Sequence, residues 1–111
     1  METTRQQKIG KQIQKDISDI FVREGAEYVR GAMVTVTKVR VSPDLSLAKV
    51  YVSVFPFDKG EEILGRLKFN VSQIRRALGN RTKNQLRIVP ELVFYIDDSL
   101  EYIAHIDELL K

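Results

Sequence analysis

From Thr3 to Arg23 the apolar residues Ile9, Ile13, Ile17, Ile20 and Phe21 recur at spacings of three and four, which predicts a helix with one buried stripe. Arg5, Lys8, Lys11 and Lys15 fall opposite that stripe at about 100° per residue, as a solvated outer face or as an extension of a cationic surface. Gly25 marks the stop. The period then changes to two. Val34 and Val36 alternate with Thr35 and Thr37, after which Val39 and Val41 alternate with Lys38 and Arg40. The one-residue slip predicts a β-bulge near Thr37 or Lys38. Ser42-Pro43-Asp44 is a turn signal. A second strand follows from Leu47 to Phe55, with Ala48, Val50, Val52 and Val54 on one face and Lys49, Tyr51, Ser53 and Phe55 on the other. The two strands form an antiparallel hairpin.

Asp58, with Glu61 three residues later, reads as the N-cap of a second helix running to about Leu78. Its buried stripe is Ile63, Leu67, Val71, Ile74 and Leu78, with Leu64 at the edge; Lys68, Ser72, Arg75 and Arg76 lie off it. Phe69 points outward, to pack on a neighbouring helix or to stack a base. Ala77-Leu78-Gly79-Asn80 reads as a break followed by a short basic helix, Arg81 to Leu86. Arg87 to Asp97 is the third strand, with Pro90 near its start. Ser99 caps a last helix, Leu100 to Leu110. The order is helix, strand, strand, helix, short helix, strand, helix. This is an α+β layout, with a three-stranded sheet covered by helices mostly on one face.

A chain of 111 residues, 43% hydrophobic, is expected to be one domain spanning 1–111, with about two thirds of its unfolded surface buried. No apolar run approaches the roughly 18 residues of a membrane span. Met1 to Gly10 has no apolar signal-peptide core. The chain has no cysteine, which excludes disulfides and thiolate catalysis and suits a reducing compartment. The expected address is the cytoplasm.

Charge changes the picture more. The chain holds 18 basic and 15 acidic residues, but Ile63 to Pro90 holds seven cations (Arg66, Lys68, Arg75, Arg76, Arg81, Lys83 and Arg87) and no acid. Glu91 to Lys111 has one cation and six acids. A cationic stretch without counter-charge is explained by a polyanion, and the commonest inside a cell is nucleic acid; a solvated helix face that lacks acids is the bland alternative. Catalytic constellations are missing. The lone histidine, His105, falls late in an acidic helix, and there is no P-loop, no GxGxxG and no HExxH. Asp97-Asp98 places two carboxylates on opposite faces of a strand. The chain is therefore expected to be no enzyme and to take no cofactor, metal or small-molecule substrate.

The element order resembles that of type II K-homology domains, which are small RNA-binding folds. The usual Gly-x-x-Gly loop is absent, and Ala77-Leu78-Gly79 stands in its place. With Val34-Thr35-Val36-Thr37-Lys38-Val39-Arg40-Val41-Ser42-Pro43-Asp44-Leu45, Ala48-Lys49-Val50-Tyr51-Val52 and Leu86-Arg87-Ile88-Val89-Pro90-Glu91-Leu92, followed by Phe94 and Asp97-Asp98-Ser99-Leu100, nearly the whole chain is similar to the ribosome-binding factor A family. The resemblance implies a non-catalytic assembly factor, and the chain is expected to be a monomer. It would bind the immature small ribosomal subunit and its rRNA and aid late rRNA maturation, above all in the cold. The expected contacts are phosphates on Arg75, Arg76, Arg81, Lys83 and Arg87, a backbone approach at Ala77 and Gly79, a hydrogen bond from Asn80, and Lys38 and Arg40 on the hairpin. Phosphate contacts position without reading sequence, and the sequence shows no aromatic platform of the RNA-recognition-motif type. The rival expectations are a protein-interaction module docking a basic partner through a charge-poor strand face and an acidic last helix, and an enzyme of unrecognised type on a ferredoxin-like scaffold.

Overall fold

A computed structural model describes residues 3–23, 28–82 and 89–99. Three helices, α1 (Thr4–Arg23), α2 (Gly60–Phe69) and α3 (Val71–Thr82), and three strands, β1 (Met33–Val41), β2 (Leu47–Phe55) and β3 (Glu91–Ile96), follow in the order α1-β1-β2-α2-α3-β3. This is the α+β, type II K-homology-like order. The last helix predicted from Leu100, His105 within it, and the stop at Gly25 lie outside the described residues.

β2 is the central strand. It pairs antiparallel with β1 and parallel with β3, from Leu47 opposite Glu91 to Val52 opposite Ile96. A parallel pair needs a long crossover, and α2 and α3 supply it. The predicted bulge is present: the register shifts between Val36 and Lys38, so Val36, Val39 and Val41 all face inward despite their odd spacing. Ile13, Ile17, Ile20, Ile63, Leu67, Ile74 and Leu78 from the helices meet Ala48, Val50, Val52, Leu92 and Phe94 from the sheet in one core cluster. Each large side chain among them contributes about 1.5–3 kcal/mol on burial.

α1 is seated on β1 by polar contacts that periodicity does not reveal. Thr3 and Gln6 form a reciprocal cap, the Thr3 amide donating to Gln6 Oε1 at 2.8 Å and the Gln6 amide to Thr3 Oγ1 at 3.1 Å. Gln6 Nε2 also donates to the Val41 carbonyl at 2.8 Å, and Gln14 Nε2 to the Val36 carbonyl at 3.0 Å. Between them Gly10 lies so close to β1 that a Cβ there would stand 2.9 Å from the Val39 carbonyl oxygen.

Three local expectations are corrected. Asp58 is no cap: it lies in a 3₁₀ turn, Phe57–Lys59, and α2 begins at Gly60 with no side-chain cap bond. Phe69, 89% exposed at the end of α2, packs on none of the described helices. The third strand begins at Glu91, since Val89 and Pro90 are an approach segment engaged by α3.

Candidate nucleic-acid interface

The helix interruption stands at Asn70, not at Gly79. The Asn70 amide and its Nδ2 both donate to the Arg66 carbonyl, at 3.0 and 2.8 Å, while the Asn70 carbonyl accepts from the Ile74 amide at 3.1 Å. An asparagine side chain that competes for backbone acceptors ends one helix and lets the next start. Gly79 lies inside α3, which continues to Thr82. The absence of a side chain there serves packing, because a Cβ would stand 3.0 Å from Val89 Cγ2. The break expected at Ala77-Leu78-Gly79 is thus a continuous helix under the segment that returns to β3. The short helix expected at Arg81 to Leu86 is, as far as Thr82, the end of α3; its remainder lies outside the described residues.

α3 carries a groove on each flank. One, of about 540 Å³, lies between α3 and the start of β3 and is lined by Arg75, Arg76, Gly79, Asn80, Val89 and Glu91, among others. The other, of about 370 Å³, faces α1 and is lined by Tyr28, Gln73, Arg76, Ala77, Asn80 and Arg81, with Ile20 at its floor. Arg76 and Asn80, one turn apart, border both.

The cations of the acid-free stretch have different fates. Arg75 donates from Nε to the Pro90 carbonyl at 3.0 Å and from Nη2 to the Val89 carbonyl at 2.6 Å, which ties α3 to the segment entering β3 while no described carboxylate pairs with it. Arg81 pairs with Asp19 of α1, whose other oxygen takes Arg23 at 3.0 Å. Desolvation raises the Asp19 pKa, but the bonds from Arg23 and Arg81 outweigh it and hold the carboxyl below its usual range. Arg66 is held by Glu62 at 3.1 Å and by the Arg30 carbonyl at 2.8 Å. Among the described residues, Lys68 and Arg76 are exposed and form no ion pair. The expected acid-free ridge is therefore partly neutralised by Asp19 and Glu62, and Glu91 lines one groove. Lys83 and Arg87 lie outside the described residues.

Six expected site residues, Arg75, Arg76, Ala77, Gly79, Asn80 and Arg81, come together on α3. Lys38 and Arg40 do not join them. They project from β1 on the face of the sheet opposite the core, beside Tyr51 and Lys49 of β2. That face also holds an aromatic pair that the sequence did not lead one to expect. Tyr51 and Tyr95, partnered across β2 and β3, stack with ring centroids 5.3 Å apart and planes at 24°. The only signal for it was that both alternate out of the core, and partnership across a parallel pair is invisible without the crossover.

Comparison with known proteins agrees with the fold. The family model of ribosome-binding factor A matches residues 5–110. Ribosome-binding factor A of Christiangramia forsetii is 49% identical over 99% of this chain and 85% of its own length. The crystal structure of ribosome-binding factor A from Thermus thermophilus superposes with a TM-score of 0.68 at 24% identity, covering 82% of this chain and 94% of that one. A homology model of the Thermus thermophilus factor, fitted into the cryo-EM map of its 30S complex, gives 0.64 at 25% identity over 80% and 91%. From its order of elements, its core and these relatives, the chain belongs to the ribosome-binding factor A family.

Proposed function

We propose that this protein is a non-catalytic assembly factor that binds the immature small ribosomal subunit through its rRNA, aids late rRNA maturation above all in the cold, and works as a cytoplasmic monomer without cofactor. One observation carries the RNA reading: Arg76 and Asn80 stand on a ridge of α3 between two open grooves, with an exposed guanidinium that no described carboxylate pairs. Arg75 adds uncancelled charge to one groove while its bonds hold the groove's wall in place. A ridge of this kind fits between phosphates and recognises folded shape rather than sequence. The 30S complex of the Thermus thermophilus factor supports the subunit as partner. The sheet face turned away from the described helices, with Lys38, Arg40 and Lys49, does not suit the basic protein partner of the rival reading.

The test is binding to purified small subunits across a salt series. Arg76→Ala with Asn80→Ala is expected to weaken binding and to leave the melting temperature unchanged. The slope of log K against log salt should become shallower by about 0.7–0.9 for one phosphate no longer neutralised. Arg81→Ala is expected to lower the melting temperature, since it frees α3 from Asp19. Unchanged affinity and slope in the Arg76/Asn80 variant, or a complex that survives nuclease and high salt, would overturn the reading.

A further inference from the structure

The face of the sheet turned away from α1, α2 and α3 is graded along its strands. At one end Met33 and Phe55, opposite each other, are 70% and 56% exposed. In the middle Lys38, Tyr51 and Tyr95 form one row across the three strands, with the tyrosines stacked and Tyr95 40% exposed. Two residues further along, Arg40 lies directly opposite Lys49. Like charges facing across an antiparallel ladder repel, and among the described residues neither has a carboxylate partner. Both line one hollow of about 320 Å³ beside the hairpin turn, with Ser42, Pro43 and Leu47. On the other side of the tyrosines, Asp97 accepts from the Thr37 hydroxyl at 2.6 Å and from the Ser99 amide at 3.0 Å.

We propose that this face is a second RNA site, for a single strand: a base stacks on the Tyr51–Tyr95 pair and the neighbouring phosphate is bridged by Arg40 and Lys49 at the rim of the hollow. The inference rests on the RNA-binding reading above and adds a surface across the sheet from α3. Two residues along a strand span about 7 Å, the reach of one nucleotide from phosphate to base. Stacking suits any base, since every base has a π-face. The facing cations gain a counter-charge that no described carboxylate supplies, and the Asp97 carboxylate repels phosphates from the other side of the tyrosines. A folded duplex would present its phosphates without a free base and could not use the tyrosines.

The chain has four tyrosines and no tryptophan, so the part of the tyrosine emission lost in Tyr95→Leu reports on the pair. The full chain is titrated with fluorescein-labelled decauridylate and with an abasic phosphodiester of equal length, by anisotropy and by tyrosine quenching. The wild type is expected to bind the uridylate about tenfold more tightly than the abasic strand. Tyr95→Leu is expected to lose about tenfold on the uridylate and nothing on the abasic strand, and Tyr95→Phe to stay within about twofold of wild type. Arg40→Ala with Lys49→Ala is expected to make the salt slope shallower by about 0.7, the value for one phosphate of a single strand no longer neutralised. Melting curves confirm that each variant is folded, and Tyr51→Leu serves as the second ring deletion if Tyr95→Leu is not.

The proposal is overturned by equal binding of the two strands, by a ring deletion that folds and binds as wild type does, or by self-association in sedimentation that Tyr95→Leu dissolves. It is also overturned if deletion of residues 100–111 tightens uridylate binding about tenfold, which would make the chain's own acidic end the occupant. Loss of subunit binding with Arg76 and Asn80, alongside uridylate binding that ignores Tyr95, removes this site alone. Failure of the wild type to bind either subunit or uridylate removes the RNA reading itself.

Discussion

Gly10 and Gly65 both sit inside helices, and helix propensity alone predicts that alanine stabilises each by about 1 kcal/mol. Their surroundings separate them. At Gly65 a Cβ meets nothing within 4 Å, so Gly65→Ala is expected to gain the full increment of about 1 kcal/mol and raise the melting temperature by about 4 °C. At Gly10 the new methyl would stand 2.9 Å from the Val39 carbonyl oxygen. A carbon-oxygen contact normally lies at about 3.3 Å or more, so α1 must lift by roughly 0.4 Å. It cannot pivot freely, because Gln6 and Gln14 bond to β1 carbonyls on either side, at 2.8 and 3.0 Å. Overpacking against fixed backbone costs about 1–3 kcal/mol, and stretching the two bonds takes part of the roughly 1 kcal/mol that each contributes. After the propensity gain, Gly10→Ala is expected to lose about 1–3 kcal/mol, a fall of roughly 4–12 °C. Urea and thermal unfolding followed by circular dichroism measure both variants side by side. A Gly10→Ala protein as stable as the wild type would refute the close seating of α1 on β1.

Gln6→Ala removes the cap partner of Thr3 and the buried bond to Val41, and is expected to cost about 2 kcal/mol, against about 1 for Thr3→Ala, which loses the cap alone; chemical denaturation compares them. The Asp97 carboxyl is held below its usual range by hydrogen bonds from Ser99 first and Thr37 next. A carboxyl with a depressed folded pKa contributes stability above its unfolded value, near about 3.9, and that contribution fades as pH falls through the lower folded value. Asp97→Asn is therefore expected to be less stable than wild type at neutral pH, with the difference closing in acid. Melting temperatures from about pH 7 down to about pH 2 track it, and a gap that persists at the acid end would count against the linkage.

Periodicity determined α1, the hairpin strands, the inward faces of α2, α3 and β3 and even the bulge at Thr37, because each depends on residues only a few positions apart: Val36 and Val39 must both reach the core, and one extra residue is the local way to do it. The cationic stretch and its place on a helix flank were legible for the same reason. Only the tertiary structure decided what Gly79 does, since a glycine suited to breaking a helix lies inside α3 and makes room for Val89, while Asn70 interrupts the helix with a side-chain bond that no hydrophobic pattern encodes. It also decided which arginines keep their charge available. Arg81 meets Asp19 and Arg75 meets the Val89 and Pro90 carbonyls through space, whereas Arg76 meets no described carboxylate. The parallel pairing of β2 with β3, which sets Tyr51 beside Tyr95, comes from the α2–α3 crossover, and contacts that a crossover creates are set by how helices pack on the sheet rather than by any run of neighbouring residues.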